Sequence, residues 1–86
     1  MTVIESKIGE MLTYLRQGLP TANVDHRWSG MMHTFIIVRD GLMYQISLPE
    51  SVLSVRAEHE LKRMVQPVLD RAQLGAAPRR ILVRSM

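Results

Sequence analysis

The sequence predicts an α+β domain in the order α-β-β-β-α-β, with two helices packed on one face of an antiparallel sheet of three to four strands. Three observations carry that expectation. Stretches of helical periodicity lie near each end of the chain, three alternating stretches lie between them, and an Asp40-Gly41 step divides two of the alternating runs. The 86 residues suit one small domain, residues 1–86, with no room for a second core.

The first helix is expected over residues 3–17. Thr2 and Glu5 fit a capping box, and Ile4, Ile8, Met11, Leu12 and Leu15 then fall on one helical stripe. Gly18, read as a left-handed cap, and the following Leu19-Pro20 end it. In "ANVDHRW", Val24, His26 and Trp28 share one face, and Asn23, Asp25 and Arg27 share the other. Ser29-Gly30 marks a turn, and a connection of either two or four residues there keeps the first face of that strand on the core side.

The stretch "HTFIIVRDGLMYQISL" reads as a hairpin. A type I′ turn needs positive φ at both central residues, which Asp-Gly tolerates. A two-residue loop pairs Arg39 with Leu42, Ile37 with Tyr44, Phe35 with Ile46 and His33 with Leu48. Phe35, Ile37, Leu42, Tyr44, Ile46 and Leu48 therefore form the core face, together with Val24, His26 and Trp28. Pro49 ends the strand, "PESVLS" reads as a turn of helix or a loop, and Ser54 is placed to cap a second long helix. Ala57, Leu61, Met64, Val65, Val68, Leu69 and Ala72 hold helical phase through Pro67 as far as Gly75. "RRILVRS" alternates and supplies a last short strand, expected parallel to the first and third strands and beside either one.

The opposite sheet face is where a function is expected. Ile36, Val38 and Met43 form an aliphatic cluster there, and Arg27 stands at its rim. A solvated sheet face ordinarily alternates more cleanly, and rimmed apolar patches mark contact surfaces. The leading expectation is thus a non-catalytic protein–protein interaction module, partnered by another protein or by a second copy. The competing bland reading is that these residues serve strand propensity alone, or that the C-terminal segment covers them.

The alternative function is weak, sequence-independent nucleic-acid binding. Residues 1–70 hold seven Lys/Arg and eight Asp/Glu, while residues 71–86 hold four arginines and no acid, so the net charge of +3 comes from the C-terminal end. Arg79, Arg80 and Arg84, joined by Arg71, Lys62 and Arg63, would neutralise a few phosphates. The order α-β-β-β-α over residues 3–74 resembles that of double-stranded RNA-binding domains. The family's lysine cluster and Gly-Pro-x-His loop have no counterpart, because the second helix opens "VRAEHELKR" and the turns are "SGMM" and "DG".

Composition excludes other classes. There is no cysteine, so disulfides and thiolate metal sites are out, and no apolar run reaches the ~18 residues that would span a membrane. The N-terminal segment interrupts its apolar residues with Glu5, Lys7 and Glu10, unlike a secretory signal, and a cytoplasmic location is expected. Arginine outnumbers lysine nine to two, a bias associated with GC-rich bacterial genomes. His26 and His33 are expected as cross-strand neighbours with hydrogen-bonded nitrogens, too few for a zinc site, and His59 as solvent-facing. No nucleophile elbow or glycine-rich phosphate loop is present, and no cofactor, small-molecule ligand or enzymatic activity is expected.

Overall fold

Local chemistry sets each element boundary. The computed structural model describes residues 2–78 and 80–83. Helix α1 (Val3–Gly18) starts where Thr2 Oγ1 accepts the Glu5 amide at 3.1 Å. Its end corrects the sequence expectation. Gly18 is the last helical residue, and Leu19, at φ −138°, is the cap. The glycine marks a close approach instead, since a Cβ there would stand 2.8 Å from Leu69 Cδ1 of the facing helix and that side chain would have to shift.

Strands β1 (Asn23–Ser29), β2 (Met32–Arg39) and β3 (Leu42–Pro49) form the meander. Asp40 and Gly41 take φ of 53° and 77°, as a two-residue turn of this hand requires. The resulting pairs are the expected ones, including Phe35 with Ile46 and Ile37 with Tyr44. Ser29 pairs with Met32, so the β1–β2 connection has the two-residue form.

Three helices are present where two were expected, because "ESVLSV" forms α2 (Glu50–Val55). Helix α3 (Glu58–Leu74) runs unbroken through Pro67 and ends at Gly75. Ser54 does not cap it, for its hydroxyl donates to Ser51 O within α2. Ala57 is the cap residue, and the Glu60 carboxylate reaches back to its amide at 3.1 Å. That hydrogen bond, helped by Arg56 at 3.2 Å, holds the Glu60 carboxyl below its ordinary pKa.

The meander is antiparallel as expected, but the whole sheet is mixed. The last strand, β4 (Arg80–Leu82), joins in the order β1-β2-β3-β4 with the parallel orientation its chain direction predicts, so the antiparallel label holds for β1–β3 alone. It lies beside β3, with Ile81 opposite Ile46. Parallel neighbours need a crossover of a dozen or more residues, and the α2–α3 segment supplies it.

The helices cover one face. Phe35, Ile37, Ile46 and Leu48 are fully buried there against Met11, Leu15, Leu53, Leu61 and Val65. Long polar side chains tie helix ends to this layer. Arg39 donates to the carbonyls of Ala72 and Gln73 at 2.7 and 3.1 Å, and Tyr44 Oη donates to Ala76 O at 2.7 Å. Lys7 does the same for Ser54 and Arg56 at the far end of α2. Among the described residues no helix is long and apolar enough to cross a membrane.

Candidate functional site

The face of the sheet turned away from the helices is built in four cross-strand rows. They are Asn23–Val38–Met43, Asp25–Ile36–Gln45, Arg27–Thr34–Ser47 and Ser29–Met32–Pro49. Leu82 extends the third row at the β4 edge and is 60 % exposed. Ile36 and Val38 are half-buried by their neighbours, Met43 is 51 % exposed, and Arg27 is exposed at the rim. All four sequence-derived contact residues therefore lie on one continuous surface. The described part of the C-terminal segment lies beside β3 and leaves that surface open.

Polar groups on this face are largely satisfied by one another. Thr34 Oγ1 and Ser47 Oγ are 2.8 Å apart across the strands, and Gln45 Nε2 donates to Met43 Sδ at 3.0 Å. Arg27 Nε stands 4.0 Å from Asp25 Oδ2. Covering the face would then strand few unpaired donors or acceptors, which removes the usual cost of burying polar surface.

The β1 edge is blunted by its own surroundings. Arg16 Nη2 donates to Val24 O at 3.0 Å, and Asp25 Oδ1 accepts from the His26 amide at 2.8 Å. With those groups occupied, this edge is a poor template for another strand. The open surface is the face.

On the helix side, the end of the sheet near the β1–β2 turn differs from expectation. Trp28 has the core-face parity read from the sequence, yet it is 68 % exposed, because the helical layer stops short of it. Its Nε1–H donates to Gly30 O, and its ring lies parallel to that of His33, 6.2 Å away. A cleft of about 500 Å³ opens there, lined by Thr2, Ile4, Glu5 and Ile8 of the α1 end, His26 and Trp28 of β1, His33 of β2 and Glu50 of α2.

A hydrogen-bonded chain runs along this cleft. His26 Nε2 is 2.9 Å from His33 Nδ1, and His33 Nε2 is 3.2 Å from Glu50 Oε1. A carboxylate only accepts, so His33 carries its proton on Nε2 and accepts on Nδ1 from His26 Nε2–H. The lone pair of His26 Nδ1 is left as the terminal acceptor. His33 itself is 3 % exposed. Sequence reading made the two histidines cross-strand neighbours, which the register realises diagonally, with His26 opposite Phe35 and His33 opposite Trp28, and it missed Glu50. The signal was Leu48, the partner of His33: Glu50 follows it by two residues, which puts it on the same face and diagonal to the histidine.

His26 titrates below its ordinary 6.5, chiefly because burial disfavours the charged ring and also because His33 is close, with Asp25 pulling the other way. The unfolded chain therefore binds a proton at His26 before the folded one does. Stability from this residue is complete above about pH 6.5 and is lost as the pH falls through the depressed folded value. Between pH 7.5 and 5, the urea midpoint of the wild type is expected to fall more steeply than that of His26→Gln. Parallel curves would remove His26 from the pH response.

The basic set lies only partly among the described residues. Arg79, Arg84 and the side chain of Arg80 lie outside them. Arg71 Nη1 donates to Ala77 O at 3.2 Å, and Lys62 stands 4.0 Å from Glu10 and over the Tyr14 ring. Among the described residues no group of three or more His, Asp or Glu side chains could hold a metal ion. Compared with known proteins, the chain matches no family model, no curated protein and no solved structure.

Proposed function

We propose that the protein is a non-catalytic interaction module that self-associates through its helix-free sheet face, with Ile36, Val38 and Met43 as contact residues and Arg27 at the rim. The observation that carries this is the self-complementary layout of the four rows. A two-fold axis lying across the strands, between the Asp25 and Arg27 rows, sets each Asp25 over Arg27 of the second copy. The same operation lays Val38 and Met43 over Met32 and Pro49 of that copy. Opposite charges meet twice and apolar side chains meet twice, as an isologous interface requires.

The size of the surface sets the strength. Eight-residue strands spaced as in any sheet give a face of about 25 Å by 15 Å. That falls at or below the low end of specific interfaces, so the dimer is weak and its population depends on concentration. Across β1–β3 this face carries one acid and one base, Asp25 and Arg27, and a copy of itself fits that balance.

Val38→Lys places a charge against the apolar Met32 of the second copy and should weaken self-association by at least tenfold. Sedimentation equilibrium over a concentration series measures it. A wild-type mass that stays monomeric at every concentration, or a Val38→Lys mass that rises as the wild type does, contradicts the proposal.

Phosphate contacts by Arg79, Arg80 and Arg84 remain the second reading, supported by the charge excess after residue 70. Its signature is a co-purified nucleic acid released steeply by salt.

A further inference from the structure

We propose that the cleft between the start of α1 and the β1–β2 turn binds a small organic cation with an N–H-bearing head and an aromatic or aliphatic body. The cleft lies on the helix-bearing side of the sheet, so this inference stands apart from the self-association face.

Volume comes first. About 500 Å³ lies within the range of pockets that enclose small ligands. Charge comes next. Glu5 and Glu50 are two acids among the lining residues, and no lysine or arginine is among the described ones. Glu5 makes no ion pair among the described residues, and its backbone, not its carboxylate, is what Thr2 caps. Polarity adds direction. With Glu50 fixing the His33 tautomer, His26 presents an acceptor, so the carboxylates and this imidazole nitrogen all ask for donors. A primary ammonium supplies three donors and the compensating charge.

The walls fix the rest of the ligand. Ile4 and Ile8 give an aliphatic side, and Trp28 gives an indole held by its bond to Gly30 O. Indole is the best natural face for a cation, and that attraction grows when water is displaced. An anion would meet two acids and, among the described lining residues, no lysine or arginine. A neutral body without a charged head would leave the charges of Glu5 and Glu50 uncompensated, the second keeping only its hydrogen bond from His33.

The sequence contains one tryptophan, so intrinsic emission reports this cleft directly. Benzylammonium, benzyl alcohol and benzoate share a ring and differ in head-group charge, so the three are titrated in parallel into the wild type, Glu5→Gln and Glu50→Gln. The expected result is a saturable change in Trp28 emission with benzylammonium alone, about tenfold weaker in each variant because a charged hydrogen bond is lost. Glu5 is exposed, so Glu5→Gln leaves the fold intact and keeps the test valid if Glu50→Gln disturbs His33. Saturation by benzoate or benzyl alcohol equal to that by benzylammonium overturns the proposal. So does the absence of saturation by benzylammonium, or undiminished binding in Glu5→Gln. Repeating the wild-type titration in the Val38→Lys background keeps this outcome separate from the fate of the dimer, because the two faces share no residue.

Discussion

Truncating Phe35 to alanine is expected to lower the stability of the domain by about 3–5 kcal/mol. Phe35 is fully buried, pairs with Ile46 on the core face and lies with its ring centroid 5.4 Å from that of His26. It occupies the middle strand of the meander, where no helix end or loop can slide in to refill the space, so the cavity term adds to the lost transfer energy. A chain of this length has a total stability on the order of 4–13 kcal/mol, so the variant will be marginal at room temperature. The next residue along, Ile36, points to the other face and is half-buried; Ile36→Ala should cost about 1 kcal/mol or less in dilute solution. The contrast between adjacent positions checks the parity of the strand. Far-UV circular dichroism is the appropriate probe, because Trp28 is already 68 % exposed in the folded chain and its emission will change little on unfolding. Equal losses at 35 and 36 would mean that the outward face is packed as a core.

Reversing one charge on the β1 rim should weaken self-association by tenfold or more, and reversing both should restore it to within about threefold. Under the proposed two-fold, Asp25→Arg opposes Arg27 of the second copy at two symmetric places, so each substitution acts twice. Arg27→Asp opposes Asp25 in the same manner. The double variant recreates both pairs with exchanged partners. Within one chain these two side chains are 4.0 Å apart and mostly exposed, so the single reversals have little effect on folding and the change in mass reads the contact between copies. A double variant as weak as either single one would place Asp25 and Arg27 away from each other across the interface.

How much of this could be read from the chain depends on the range of the interaction that decides each feature. The β2–β3 register was legible to the residue, because a two-residue Asp40-Gly41 turn leaves one pairing that keeps Phe35, Ile37, Tyr44 and Ile46 together. The outward placement of Ile36, Val38 and Met43 followed from the same parity. Burial at the end of a strand was not legible. Trp28 lies on the side its sequence spacing assigns, but α1 begins at Val3 and the helical layer does not reach it, a matter of helix placement that no local pattern records. The parallel docking of β4 beside β3 is set by where α3 delivers the chain, thirty residues after β3 ends, and alternation in "RRILVRS" could not choose the edge. Gly18 was legible as special and misread as to cause, because a close approach to Leu69 is a tertiary fact and a left-handed cap is a local one. The cleft was missed for the same reason. Its acids come from Glu5 and Glu50, far apart in the chain, and only the folded register brings both to the pair of histidines.

Self-association through the outward sheet face is tested most directly by methyl NMR spectra recorded across a protein concentration series. The account predicts that the methyl resonances of Ile36, Val38 and Met43 shift progressively with concentration, while those of Ile37, Ile46 and Leu48 beneath the helices, and of Ile4 and Ile8 in the cleft, stay in place. Invariant spectra, or shifts confined to the helical side, would contradict it.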